Sequence, residues 1–140
     1  MKAYQKPLTL KPFPRGIHLI TDDILFAFDE IKDISIGFFQ AHIQHTSASL
    51  TINENADPTV RLDLENYLNE MVPENQPYYQ HTVEGSDDIP AHIKASLLGN
   101  AIHLPISHGS LNLGTWQGIY LCEHRNEASA RNLILTAIGI

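Results

Sequence analysis

The strongest constraint on the fold is the stretch 45–58, HTSASLTINENADP, which joins two strand-like segments to a helix start. Before it, the apolar residues of 36–44 fall largely on one parity, as in a strand whose successive side chains face opposite sides. After the small residues the alternation resumes over 48–54. Asp57-Pro58 then combines a side-chain acceptor at the N-cap with proline in the first turn. The stretch therefore predicts two strands followed at once by a helix.

Glu54 is the costly residue of this stretch, because it follows Leu50 and Ile52 on the apolar parity. A carboxylate on that side is unfavourable unless it is paired or binds a metal ion. The alternative is a strand end, where a polar side chain reaches water. We take Glu54 as a candidate catalytic residue that orients a histidine or acts as a base.

Caps and apolar spacing predict three helices. The first begins at Thr21 as its cap and runs to about Ile31. The second begins after Asp57 and ends before Pro73. The third is capped by Asp87 or Asp88 and ends before Gly99. The core-facing stripe of the second helix is predicted at Val60, Leu64, Tyr67, Leu68 and Met71.

The last third of the chain reads as strands over 101–106, 115–123 and 132–138, with two more short strands near 8–10 and 16–20. Few helices are available to cover so much sheet. We therefore expect one sheet face to be buried by another copy of the chain. The apolar positions expected on that face are Ile119, Leu121, Leu133 and Leu135.

Length and composition bound the class of protein. A chain of 140 residues with 43% hydrophobic residues suits a single domain over 1–140. The formal net charge is −7 and no Lys/Arg cluster stands out, which argues against a nucleic-acid partner. No apolar run reaches membrane-spanning length and no signal peptide is visible, so we expect no membrane partner and a cytoplasmic location. The single cysteine, Cys122, excludes an internal disulfide.

The chain has 8 histidines, and His45, His81 and His92 lie in polar surroundings. Imidazoles bind borderline divalent metals, and three with one open position form a site of the catalytic type. Their spacing matches no compact motif, and any one of them could be an ordinary surface or core histidine. Together they predict a metal or oxyanion site, with Glu54, Asp88 and Glu123 as orienting or acid–base groups.

A second group of residues lies at the end of the turn and short strand predicted over 108–114. Trp116-Gln117 comes directly after Gly114-Thr115, and Arg125 ends the next strand. Such a group fits a pocket in which a ring stacks on the indole and an anion meets the guanidinium. We take these residues as candidate substrate-binding residues, together with Asn55 on the polar parity of 48–55.

Three blocks carry a resemblance to a known family. They are HTSASL with NEN at 45–50 and 53–55, DDIPAHIK at 87–94, and LGTWQGI at 113–119 with Glu123 and Arg125. In these blocks, and over essentially the whole chain, the sequence resembles the YjbQ-like family, also called secondary thiamine-phosphate synthase.

The resemblance implies a small α+β domain whose mainly antiparallel sheet curves into a half-barrel with two to three helices. It also implies a homotrimer with histidine-lined metal pockets near subunit interfaces. The implied activity is thiamine-phosphate synthesis, in which a pyrimidine-methyl diphosphate condenses with a thiazole phosphate and releases diphosphate. The small-molecule substrate would therefore be phosphorylated.

The chemistry of the histidines leaves alternatives open. A histidine site suits Zn²⁺, Mn²⁺, Fe²⁺ or Ni²⁺, whereas a diphosphate substrate would bring Mg²⁺ with oxygen ligands. A metal-dependent hydrolase of a small metabolite would use the same residues with a bound water as nucleophile. A non-enzymatic trimer that binds a metal or a metabolite is the third possibility.

Overall fold

The structure is a computed structural model that describes all residues from 1 to 140. Eight strands and three helices follow one another along the chain. The strands are β1 (Lys2–Leu10), β2 (Gly16–Leu19), β3 (Ile36–Ile43), β4 (Ala48–Glu54), β5 (Ala101–Ser107), β6 (Ser110–Leu111), β7 (Gln117–Glu123) and β8 (Arg131–Gly139). The helices are α1 (Thr21–Ala27), α2 (Pro58–Met71) and α3 (Asp88–Leu98), and a 3₁₀ turn covers Asp29–Asp33.

The strands form two antiparallel sheets. A five-stranded sheet has the order β1-β8-β3-β5-β6, and a three-stranded sheet has the order β2-β7-β4. The amide of Leu50 in β4 donates to the carbonyl of Gly99, just before β5, and this contact joins the two sheets into a curled half-barrel. The predicted α+β class with a mainly antiparallel sheet is confirmed.

The main core lies between the two sheets, where the alternating apolar residues of both meet. It includes Phe39 and Ala41 of β3 and Leu50 of β4, and α1 adds Ile24. A smaller cluster on the other face of the three-stranded sheet packs Tyr120 against α2 and α3. The outer face of the five-stranded sheet carries no helix, so the layers run sheet, sheet, helices.

The two facing sheets bury residues that we expected another copy of the chain to cover. The positions predicted to need another copy of the chain, Ile119, Leu121, Leu133 and Leu135, are fully buried within one chain. The prediction of these positions as an uncovered face is wrong, because it assumed one thin sheet instead of two sheets facing each other. Apolar side chains are instead exposed on the outward parity of β3 and β8, where Phe38 is 73% exposed.

Two local predictions also change. Thr21 does not cap α1, because its hydroxyl accepts a hydrogen bond from the backbone amide of Ile119 at 2.9 Å. Of the predicted stripe of α2 only Leu68 is buried, and Tyr67 and Met71 are exposed. The helix covers a sheet of only three strands, so a narrow strip of its surface finds apolar partners. None of the helices is long and apolar enough to cross a membrane.

Candidate metal site

The site is built on the first turn of α3. Asp88 is the first residue of the helix and His92 lies one turn further on, so both side chains project from the same face. The loop between α2 and α3 brings His81 to them. Asp88 Oδ2 lies 2.7 Å from His81 Nε2 and 3.2 Å from His92 Nε2. The ligand atoms of these three residues lie within 4.8 Å of one another.

The ring of His92 is held from its other side. Its Nδ1 lies 3.0 Å from the carbonyl oxygen of Thr46, which can only accept, so Nδ1 carries the proton. Nε2 therefore faces Asp88 either as a second donor of an imidazolium or as an unprotonated ligand to a metal ion. A histidine that donates one ring N–H to a backbone carbonyl and presents the other nitrogen is the usual arrangement of a metal ligand.

Asp88 stays ionised although its side chain is only 2% exposed. Burial by itself raises the pKa of this carboxyl, but the hydrogen bond from His81 and the positive charge of Arg125 outweigh it and hold the pKa below its ordinary value. The residue thus supplies a negative charge between two imidazoles, which suits a divalent cation.

Arg125 holds Asp88 in position through hydrogen bonds to the start of α3 and to the loop before it. Its guanidinium donates to Asp87 Oδ2 at 2.9 Å, to Asp88 Oδ1, and to the carbonyl of Glu84 at 2.9 Å. Asp87 also accepts from the amide of Asn126 at 2.9 Å. Arg125 therefore holds the helix start and the loop before it, with each of its three nitrogens donating one hydrogen bond. Its predicted role as a substrate contact stays a prediction.

His45 and Glu123 lie nearby but outside the group of three ligands. His45 Nε2 accepts a hydrogen bond from the amide of Asn132 at 2.7 Å. Burial and the charge of Arg131 lower the pKa of His45 below its ordinary value, so its ring is neutral. Glu123 is fully buried and forms a two-fold ion pair with Arg131, at 2.7 and 2.6 Å. Arg131 also donates to Ser47, so this pair supports the turn that carries Thr46.

The other predicted residues gather at the opposite end of the β4–β7 pair. Ala48 pairs with Glu123 and Glu54 pairs with Gln117, six residues further along, which is about 20 Å at about 3.3 Å per residue. Asn55 donates to the carbonyls of Thr115 and Gln117, and Trp116 is 63% exposed beside them. The Gln117 side chain accepts from the amide of Gly114 at 2.8 Å.

Glu54 also lies at this far end. It is half-buried and accepts from the backbone amide of Asp57 at 3.1 Å, so its partner is a backbone amide and not a site histidine. Within one chain the structure thus separates Glu54, Asn55 and 114–117 from the histidine group.

Reactive side chains behind α3 are sealed from solvent. Ser49 and His124 lie 2.8 Å apart, and burial, with the nearby charge of Lys94, lowers the pKa of His124 to about 3. Burial raises the pKa of the Cys122 thiol to about 12. These groups are neutral and inaccessible, so none of them is a nucleophile for a molecule bound at the histidines.

Two features of the site were not predicted from the sequence. Asp88 was predicted as a catalytic residue and not as a ligand, although its four-residue spacing to His92 on one helix was a usable signal. The carbonyl of Thr46 could not be found from the sequence, because a backbone contact leaves no mark on the residue type.

Comparison with known proteins identifies relatives over nearly the whole chain. The model of the family described as UPF0047 protein YjbQ-like matches residues 6–140. UPF0047 protein YjbQ of Escherichia coli O157:H7 is 49% identical over 136 residues, which is 97% of this chain and 98% of that protein. UPF0047 protein sll1880 of Synechocystis is 38% identical over 99% of this chain and 93% of its own length.

Solved structures share the fold. An uncharacterised YjbQ/UPF0047 protein of Clostridium acetobutylicum superposes with a TM-score of 0.83 at 37% identity, over 95% of this chain and 99% of that one. A YbjQ-like protein of unknown function from Sulfolobus solfataricus superposes with a TM-score of 0.85 at 22% identity, over 99% of both chains.

These comparisons correct the expected activity. The curated relatives carry only the family designation, and the Sulfolobus protein is described as being of unknown function. The prediction of thiamine-phosphate synthase activity is therefore wrong as a conclusion about this chain. What the relatives support is membership of the family, without a named reaction.

Proposed function

This chain belongs to the YjbQ-like UPF0047 family, and on that premise we propose that it binds a divalent metal ion through His81, His92 and Asp88. The observation that carries the proposal is the convergence of the three ligand atoms within 4.8 Å, with the His92 ring oriented by the Thr46 carbonyl. Ligand atoms at about 2.1 Å from one tetrahedral ion lie about 3.4 Å from one another. His81 Nε2 and Asp88 Oδ2, which are 2.7 Å apart, would therefore separate slightly to take an ion between them.

The donor set favours particular ions. Two imidazoles and one carboxylate suit Zn²⁺, Fe²⁺, Mn²⁺ or Ni²⁺, whereas Mg²⁺ prefers oxygen ligands alone. Three protein ligands leave a position for water or a small molecule, as in metal sites of the catalytic type. An ion bound there would lower the pKa of a bound water and polarise a coordinated oxygen. His45, which the sequence predicted as the third imidazole, would serve beside the site and not as a ligand.

Metal content tests this proposal. The protein is first stripped of metal with a chelator. Separate samples are then loaded with Zn²⁺, Mn²⁺, Fe²⁺ or Ni²⁺ and dialysed, and their metal content is measured by inductively coupled plasma mass spectrometry. We expect about one ion per chain for at least one metal. His92→Ala should bind that metal at least about 100-fold more weakly.

His18→Ala is the matched control, because His18 stacks on Phe13 and has no carboxylate partner. It should retain the metal content of the unmodified chain. Equal metal retention by His92→Ala and His18→Ala, or no retention by any of the three proteins, would contradict the proposed site.

We also propose that the chain forms a homotrimer, the assembly that the family resemblance implies. The outer face of the five-stranded sheet supports self-association, because its outward positions hold no charged side chain in a chain of net charge −7. Depletion of charge is the compositional mark of an interface core. Those positions are Ala3, Gln5, Pro7, Thr9, Ile36, Phe38, Gln40, His42, Ala101, His103, Pro105, Ser107, Asn132, Ile134, Thr136 and Ile138.

In a trimer, Asn55 and residues 114–117 of one protomer could lie close to the metal site of another. In one chain Asn55 and 114–117 lie at the far end of β4 and β7, so they can act on a ligand at the metal only if they come from another protomer. Their predicted substrate-binding role, the phosphorylated substrate and the cytoplasmic location are kept as predictions.

A further inference from the structure

The carboxylate of Glu123 lies between the two segments that hold the proposed metal ligands. It is fully buried at the end of β7 and accepts three hydrogen bonds, two from the guanidinium of Arg131 and one from the backbone amide of Arg125. We propose that Glu123 is a positioning residue of the metal centre. It acts through these two arginines on the direction of the His92 ring and of the Asp88 carboxylate. The inference rests on the proposed function, because it concerns the same ligands.

The first path runs through Arg131 to the turn before β4. Besides its two bonds to Glu123, the guanidinium of Arg131 donates to the hydroxyl and to the carbonyl of Ser47, at 3.1 and 3.3 Å. The preceding carbonyl of this turn, that of Thr46, accepts from Nδ1 of His92 at 3.0 Å. The position of that carbonyl decides where the ring points and which of its nitrogens carries the proton. A displaced Ser47 would therefore turn Nε2 of His92 away from the ion.

The same turn is also held by the backbone of Asn132. The carbonyl of Asn132 accepts from the amide of Gln44 at 2.9 Å, and its amide donates to Nε2 of His45 at 2.7 Å. Loss of the bonds between Arg131 and Ser47 should therefore displace the turn and not unfold it. The expected result is a misdirected imidazole in a folded chain.

The second path runs through Arg125 to the start of α3. The backbone amide of Arg125 donates to Oε2 of Glu123 at 3.2 Å, which fixes the chain at the point from which the Arg125 side chain extends. Its guanidinium then donates to Asp87 Oδ2 and to Asp88 Oδ1. The other oxygen of Asp88 faces both imidazoles. Arg125 thus directs Asp88, and His81 is directed in turn by its contact with Asp88.

Stability alone does not explain a charged pair at this place in the fold. The side chains of Arg131 and Glu123 are 7% and 0% exposed, and burial of two charges costs solvation free energy that apolar side chains of similar volume do not pay. What the ion pair adds is direction, because two parallel N–H···O bonds fix the plane of the guanidinium and leave Nη1 aimed at Ser47. Of the orienting and acid–base roles predicted for Glu123, its burial favours the first.

A double variant that replaces the ion pair by apolar side chains tests the proposal. Glu123→Leu with Arg131→Met keeps most of the buried volume, so the chain should remain folded in urea titrations, but it removes the bonds to Ser47. Zinc affinity is measured by competition with a chromophoric chelator, and we expect it to fall about 10- to 100-fold. The control, Lys6→Met with Glu30→Leu, removes an ion pair between β1 and the 3₁₀ turn and should leave the zinc affinity unchanged.

The ring proton of His92 gives a second readout that needs no metal. In chelated protein the Nδ1 proton is bonded to the Thr46 carbonyl, so it should exchange slowly with water and give a ¹H–¹⁵N signal at low temperature. We expect this signal to be lost from the double variant of Glu123 and Arg131 and to be retained in the control. An ion pair that only stabilised the fold would leave the signal in place in every folded variant.

Arg131→Lys keeps a positive charge against Glu123, so the test does not depend on folding of the apolar pair. A single ammonium group cannot form the paired bonds to the carboxylate and also reach Ser47, so zinc affinity and the ring signal should fall here too. A folded variant with unchanged zinc affinity and an unchanged His92 signal would overturn the proposal. Absence of zinc from the unmodified chain would reject the metal site, whereas loss of the ring signal in the variants would still support the positioning of His92 by Glu123.

Discussion

At the scale of single residues, Asp88 carries the most interactions of the site. One carboxylate oxygen faces both imidazoles, and the other receives the guanidinium of Arg125. Its side chain is almost fully buried, so its charge is not screened by solvent and must be matched by these partners. Removal of this charge should therefore lower the metal affinity and change how the stability of the fold depends on pH.

The acid response of Asp88 has a defined sign. Because the pKa of the folded carboxyl lies below its ordinary value of about 4, the group stabilises the fold above that pH and loses the contribution as the pH falls. In chelated protein, we expect the loss of unfolding free energy between about pH 5 and pH 3 to be smaller in Asp88→Asn than in the unmodified chain.

Urea titrations at a series of pH values measure this effect. Asp63→Asn is the control, because Asp63 is exposed on α2 and forms no ion pair. Its curve should follow that of the unmodified chain. An Asp88→Asn curve parallel to both others down to pH 3 would show that the carboxyl has no altered pKa in the folded state.

At the scale of elements, β3 and β8 approach each other too closely at one point for any side chain. A Cβ on Gly37 would lie 2.2 Å from the carbonyl oxygen of Ile138, and a Cβ on Gly139 would lie 2.3 Å from that of Ile36. Both contacts are with backbone, which cannot turn aside as a flexible side chain can. The two glycines therefore set the distance between the central strands of the five-stranded sheet.

Gly37→Ala should destabilise the fold. Overpacking against backbone costs typically about 1–3 kcal/mol, and here the strands would have to move apart. Urea unfolding of the chelated protein measures the change in midpoint.

Gly114→Ala is the matched control, because its Cβ would lie 3.3 Å from the flexible end of the Gln117 side chain. Its stability should stay within about 0.5 kcal/mol of the unmodified chain. Equal midpoints for Gly37→Ala and the unmodified chain would show that β3 and β8 are further apart than described.

At the scale of the whole molecule, charge is distributed unevenly. The chain carries 16 acidic and 9 basic side chains, yet the outer face of the five-stranded sheet has none. Like-charge repulsion between acidic copies is weakest where this uncharged face forms part of the contact between neighbouring protomers. Exposed Ile36 and Phe38 add apolar area to that contact.

Phe38→Glu tests the trimer at this scale. Light scattering should give about three times the chain mass of 15.7 kDa for the unmodified protein, and a lower mass for Phe38→Glu, because a buried unpaired carboxylate opposes association. Phe26→Glu changes an equally apolar side chain on α1, 94% exposed and away from the sheet face, and should keep the trimer. A monomeric mass for the unmodified chain at micromolar concentration would reject the assembly.

Local signals predicted the elements well, and contacts between distant segments were predicted poorly. Asp57 caps α2 as its sequence context indicates, with its carboxylate accepting from the amide of Thr59. Thr21 has equally good cap chemistry, but the hydroxyl is taken by Ile119 of β7, which no local pattern reveals. The same limit explains the sheet face, because the sequence of one strand does not say which second sheet covers it.

The residues of the candidate site also differ in whether local spacing or contacts between distant segments bring them together. Asp88 and His92 share a helix, so their proximity follows from a spacing of four residues. His81 reaches them from a loop without regular structure, and only its polar context suggested it. His45 lies two residues after β3, where the direction of its ring depends on the amide of Asn132 across the sheet. The proximity of Asp88 and His92 could therefore have been predicted from their spacing, whereas the positions of His81 and His45 depend on contacts between distant segments.

The carbonyl of Thr46 has a consequence for how such a site can vary among related chains. Because the group that orients His92 is main chain, replacement of the threonine side chain leaves it in place, whereas insertion or deletion of a residue in the turn 44–47 moves it. The length of this turn therefore constrains the site as much as the identity of a ligand does, although the residue types in the turn do not show it. Mutational scans that exchange residues one at a time would pass over this position, and scans that change loop length would find it.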